Sequence, residues 1–125
     1  MMLKIAAALV LLITMQANEP TPQSGWLSAY DAEPTIGTMT YRLESGDVEL
    51  GHDVYLAVAN CARIGETGKI SIGGSEWLDY QVFDCLGADA GHDWMASQNI
   101  VAELDYWSWQ RHGLGRAMMI PDGGQ

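Results

Sequence analysis

From Gly25 onward the apolar residues come in short bursts, each closed by glycines or by acidic residues. A helix that buries one face needs apolar residues at every third or fourth position over several turns. No such long period runs through the chain, so the short strands of a small barrel or sandwich are expected. The stretch Lys69 to Phe83 carries the pattern best. Lys69 to Ile72 and Trp77 to Phe83 flank Gly73, Gly74 and Ser75, which supply the positive backbone angles of a tight reversal. In the second arm Leu78, Tyr80 and Val82 alternate with Asp79, Gln81 and Phe83, which leaves one face apolar along most of the strand.

β-Branched and aromatic content predicts further strands over Thr38 to Leu43 and over Val54 to Val58, joined by the acidic stretch Glu44 to Gly51. Ile100 to Leu104 reads as another. Asp105 is suited to accept the free amides of a helix starting at Tyr106, and Gly113 to end that helix in the left-handed region. Arg111 and His112 complement the helix dipole in the last turn. Ala117 to Ile120 forms a final strand, stopped by Pro121 in a polar tail over 121–125.

Ahead of these strands, Lys4 precedes the apolar run Ile5 to Ile13, and the polar stretch Asn18 to Ser24, with Pro20 and Pro22, follows it. This is the order of a secretory signal, and the run is too short to span a bilayer. Residues 1–17 are therefore expected to be a leader, 18–24 a tether and 25–120 one domain with one core, secreted and without a stable membrane span once the leader is gone. Sixteen acidic residues against six Lys and Arg give a net charge of −10. Phosphate backbones are repelled by such a chain, so nucleic acid is not expected as a partner, and a neutral or cationic one fits better.

Cys61 and Cys85 are the only cysteines. An oxidising compartment favours a bridge between them over two buried free thiols. His52, His92 and His112 stand in separate turns without ligand spacing, so no metal is expected. The serines lack a nucleophile-elbow context and the glycine pairs lack a phosphate cradle, so no cofactor is expected either. The oligomeric state is not encoded in any of these features.

The order of hairpin, acidic residue, strand, short helix and final strand resembles the double-psi β-barrel domain of rare lipoprotein A-like proteins, a barrel shared with barwin, expansins and certain fungal cellulases. Three segments carry the likeness. GWLSAYD, Gly25 to Asp31, looks like the family's first strand, and YQVFDC puts Asp84 where the family has the aspartate of an aspartate-arginine-glycine turn. AELDYWSWQRHGL puts Glu103, Leu104 and Asp105 at the strand end that leads into a helix, with Gly113 and Leu114 at its close. The resemblance implies an all-β, six-stranded double-psi barrel with one short helix, and a polysaccharide or cell-wall glycan as partner. Two departures stand out: Cys85 and Leu86 replace the arginine and glycine that should follow Asp84, and the family's histidine falls at Cys61.

For the lytic members, the resemblance implies cleavage of peptidoglycan glycan strands, with an aspartate donating a proton to the bridging oxygen. Asp84 is the candidate for that acid, and a partly buried site would raise its proton affinity. The plainer role is an exposed aspartate capping a turn. Glu103 is the candidate second carboxylate; facing inward it would need a partner, and its plainer role is a structural hydrogen bond to a neighbouring loop. Trp94, in the expected loop GADAGHDWMASQN, together with Asp105 and Tyr30, makes up the candidate substrate contacts. Trp94 also suits a lid over the barrel end, and Asp105 already serves as a helix cap. Trp107 and Trp109 lie two apart on a short helix and cannot face the same way, so one belongs to the core. If the bridge has taken the place of the working histidine, the chain is instead a non-catalytic exported binding or structural module on the same barrel.

Overall fold

The computed structural model describes residues 21–87 and 89–123, and the expected leader lies outside them. Six strands, three helices and one short turn follow in chain order: β1 (Gln23–Ala29), α1 (Ala32–Ser45), β2 (Val54–Val58), a 3-10 turn (Cys61–Arg63), β3 (Thr67–Ile72), β4 (Leu78–Cys85), α2 (Asp89–Ser97), β5 (Ile100–Leu104), α3 (Tyr106–His112) and β6 (Arg116–Pro121). The strands close into a barrel in the order β1-β5-β2-β4-β3-β6. This is the small all-β barrel expected, and closure leaves no unpaired sheet edge.

The pairs β1–β5 and β2–β4 are parallel and the other four antiparallel. Advancing each strand number by three turns β1–β5 into β4–β2 and β1–β6 into β4–β3, and returns β2–β5 and β3–β6 to themselves. The two halves of the chain therefore cross through each other with a two-fold pairing pattern, although no sequence repeat marks it. The connections obey the same rule: α1 and α2 each join the first strand of a half to the second, and the 3-10 turn and α3 each join the second to the third.

Alternate residues of every strand fill the interior, with Leu56, Ile70, Tyr80, Val82, Leu104 and Met119 at its centre. Tyr80 fits there because Gly68 lies opposite it in β3 and has no side chain to meet its ring. The Tyr80 hydroxyl donates to Glu66 Oε2 at 2.8 Å, and Glu66 is itself paired with Arg63.

Three helices replace the single one expected. Thr38 to Leu43, expected as a strand, lies within α1: Thr35 and Met39 are buried, and Gly46 ends the helix at φ 81°, its N–H meeting the carbonyls of Arg42 and Leu43. Local β propensity yields here to packing. Met39 and Leu43 join Tyr30, Val48, Tyr55, Ala57 and Phe83 in a second apolar cluster between α1 and the outer face of β2 and β4. The segment around Trp94, expected as a loop, forms α2, with Met95 buried and Trp94 half exposed. The barrel also begins earlier than expected, since Gln23 and Ser24 of the tether pair with Met119 and Met118.

In α3 Asp105 Oδ1 accepts the Ser108 N–H at 3.1 Å and Gly113 ends the helix, as expected, but Gly113 does so with φ 78° and an extended ψ of −177° in place of the left-handed cap. Cys61 and Cys85 form a disulfide. Among the described residues, no helix is long and apolar enough to cross a membrane.

Candidate functional site

Ala57 of β2 has Asp84 of β4 as its neighbour on one side and Glu103 of β5 on the other. Beyond Glu103 lies Ser28 of β1. One row, Ser28–Glu103–Ala57–Asp84, thus crosses four strands. The Cα atoms of the two carboxylates are separated by two strand spacings, about 10 Å, and the Ala57 methyl between them is buried in the outer apolar cluster.

Asp84 reaches this row through an irregularity. With Val82 inside the barrel and Phe83 outside, strict alternation would turn Asp84 inward. The register instead passes from Leu56 opposite Val82 to Ala57 opposite Asp84, which leaves Phe83 as an extra residue. Such a bulge re-aims the side chains that follow it. Phe83 seats in the outer apolar cluster, and Asp84 stands beside it against Arg42 of α1 and Tyr30, which follows β1.

Tyr30 is fixed next to the row by its own backbone. Its N–H donates to the Leu104 carbonyl at 2.8 Å and its carbonyl accepts the Trp109 indole N–H at 3.0 Å. Its ring meets Phe83 edge-on, with centroids 5.2 Å apart, and its hydroxyl donates to Asp84 Oδ2 at 2.5 Å. Arg42 of α1 pairs with Asp84 Oδ1 at 3.4 Å while its Nε donates to the Phe83 carbonyl at 3.0 Å. Both oxygens of Asp84 therefore accept from donors. On the other side of Ala57, Ser28 Oγ donates to Glu103 Oε1 at 2.9 Å.

Burial pushes the Glu103 carboxyl above its usual range and the negative charge of Asp84 adds to that, against the Ser28 hydrogen bond. The Tyr30 phenol is also pushed far up, by burial first and then by its hydrogen bond to Asp84 and that group's charge, which keeps it a donor. The arrangement is one carboxylate held by donors beside one carboxyl biased toward keeping its proton. It is suited to general-acid chemistry with Glu103, rather than Asp84, as the donor.

The other candidate contacts do not gather around this pair. Asp105 is buried, committed to the α3 cap, and raised in proton affinity by that burial. It lines a groove of about 440 Å³ whose walls include Ile36, Met39, Leu43, Leu50, His52, Trp107 and Arg111. Trp94 lies on α2, and among the described residues no hydrogen bond or ring contact joins it to either carboxylate. Trp107 is half exposed at the groove and Trp109 packs against the barrel core, so one of the two is core, as their spacing requires. Sequence reasoning did not select Ser28, Arg42 or Ala57. Ser28 was discoverable from its place two residues before Tyr30; Arg42 was hidden by the strand assigned to its segment. The disulfide ties Cys85, next to Asp84, to Cys61, the position of the histidine that the resemblance expects.

No family model, curated protein or solved structure matches this chain.

Proposed function

We propose that this chain is an exported barrel protein that binds cell-wall glycan strands across the Asp84–Glu103 row and cleaves them. The placement of the two carboxylates on either side of Ala57 carries this reading. The double-psi resemblance gains support from the crossed two-fold strand pairing, and the disulfide fits an oxidising compartment.

In the proposed reaction the Glu103 carboxyl gives its proton to the bridging glycosidic oxygen. The bond from that oxygen to the anomeric carbon then breaks, and Asp84 faces the positive charge that develops. A hydroxyl of the same sugar, as in the lytic reaction, or a water molecule closes the anomeric carbon and returns a proton to Glu103. Tyr30 and Arg42 orient Asp84 from its two oxygens.

The test is digestion of purified glycan strands, with and without stem peptides, by the protein and by its Glu103→Gln and Asp84→Asn forms. Cleavage by the parent and a loss of roughly a hundredfold or more in Glu103→Gln is expected, the scale of removing a general acid. Equal product from all three would refute the assignment.

A second reading, a non-catalytic binding module on the same barrel, is favoured by one observation: Cys61 is locked in a disulfide where the resemblance expects a histidine. Retention of the intact protein on the same strands, with no product released, would select it.

A further inference from the structure

The outer face formed by β1, β6 and β3 carries large apolar side chains where a solvated sheet would carry small polar ones. Ala117, Met119, Ile70 and Ile72 point into the barrel. The alternate positions bring Trp26, Met118 and Arg116 outward, and Trp77 stands beside them on the β3–β4 turn. Trp26 is 48 % exposed, Trp77 50 % and Met118 44 %. Two aromatic rings and a methionine clustered on one bare face mark a contact surface, whereas single exposed apolar residues do not.

Between them the surface is concave. A groove of about 360 Å³ is lined by Ser24, Ser71, Gly74, Trp77, Arg116 and Met118. Ser24 and Ser71 flank Met118 in one cross-strand row, so hydroxyls stand on both sides of an apolar floor. Gly73 and Gly74, with φ of 60° and 77°, turn the chain so that Trp77 closes one end.

Arg116 supplies the charge. Arg42, Arg63 and Lys69 are ion-paired with Asp84, Glu66 and Asp79 respectively, and Arg111 donates to the Asp53 carbonyl. Arg116 has no carboxylate within ion-pair distance among the described residues. Its guanidinium lies over the Trp26 ring, 5.5 Å from the centroid, which fixes its plane while leaving its N–H groups free to act as donors. The complementarity is local and works against the chain's net charge of −10: a guanidinium without an acid partner matches a carboxylate brought in by a ligand.

We propose that this face is a second binding surface, separate from the Asp84–Glu103 row, for a glycan whose sugar units carry carboxylates. A pyranose face stacks on Trp77, ring hydroxyls meet Ser24 and Ser71, and Arg116, held over Trp26, takes a carboxylate in the fork of its guanidinium. Stacking alone would bind any sugar chain; Arg116 selects the acidic one.

The experiment is calorimetric titration of the full chain with a galacturonate oligosaccharide and with a neutral glucose oligosaccharide of the same length, repeated at raised salt. The acidic oligomer is expected to bind at least tenfold more tightly, with the preference shrinking as salt rises. Arg116→Gln should abolish the preference and keep the weak neutral binding. Trp77→Ala should weaken both ligands about tenfold, and Trp77→Phe should restore most of that loss; unchanged thermal midpoints establish that the variants are folded. Neither Glu103 nor Asp84 lines this face, so failure of the cleavage reading leaves the Arg116 and Trp77 results untouched. Equal affinity for the two oligomers, binding indifferent to Arg116→Gln, or no binding at all would overturn the proposal. A concentration-dependent dimer in sedimentation that Trp77→Ala dissolves would overturn it too, by assigning the face to a second copy of the chain.

Discussion

Opening the Cys61–Cys85 bridge is the perturbation whose size follows most directly from the fold. The two cysteines are 24 residues apart in sequence. Chain-entropy reasoning for a loop of that length gives about 3.5 kcal/mol at 25 °C. For a domain of about 100 residues each kcal/mol moves the thermal midpoint by roughly 4–8 °C, so reduction should lower it by about 14 °C or more. The folded barrel does not need the bridge to keep its register. Val58 already pairs with Cys85 across β2 and β4, and the Leu86 N–H donates to the Val58 carbonyl at 3.1 Å. The loss should therefore arise in the unfolded chain, and the reduced protein should keep its native circular dichroism below the transition. Cys61 is exposed, so a small phosphine can reach the bridge. The assay is a thermal melt with and without that reductant, alongside Cys61→Ala/Cys85→Ala, which should match the reduced parent. An unmoved midpoint would refute the stabilisation, and loss of the native spectrum on reduction at 20 °C would refute its origin in the unfolded state.

Glu103→Gln should be more stable than the parent at any pH where Glu103 of the parent is ionised, because Gln keeps the Ser28 hydrogen bond and removes a partly buried charge beside Asp84. Since the folded-state proton affinity of Glu103 is raised, the cost of ionising it is complete above the raised value. That cost shrinks as pH falls through the window between the raised and ordinary values, and it is gone below the ordinary value of 4.5. Paired denaturant melts across pH 4 to 7 should show the advantage of the variant closing on that side; an advantage that grows toward acid would contradict the assignment. Gly68→Ala should destabilise by about 3 kcal/mol or prevent folding, the scale of overpacking a core. Its new methyl group would lie 2.5 Å from the Ile120 carbonyl oxygen and 2.6 Å from the Tyr80 ring. A second variant, Gly68→Ala/Tyr80→Leu, should recover part of that loss in the same melts, and no recovery would place the strain at Ile120 alone.

The sequence by itself determined what is local in this protein. The Gly73–Gly74 reversal, the apolar face of β4, the Asp105 cap and the division of Trp107 from Trp109 all follow from backbone angles, side-chain period and capping chemistry within a few residues, and all agree with the structure. The cysteine pair was legible for the same reason, since only two thiols were present to choose from. Tertiary contacts decided the rest. Thr38 to Leu43 became helix because Met39 and Leu43 could cover the outer face of β2 and β4, a gain that no local propensity encodes. Asp84 and Glu103, far apart in sequence, became neighbours of one alanine only through the crossing of β4, β2 and β5, and a bulge at Phe83 set which way Asp84 faces. Register between distant strands and the aim of a bulged residue are properties of the closed barrel, fixed by packing across the chain's two halves, and a linear pattern of residue types does not carry them.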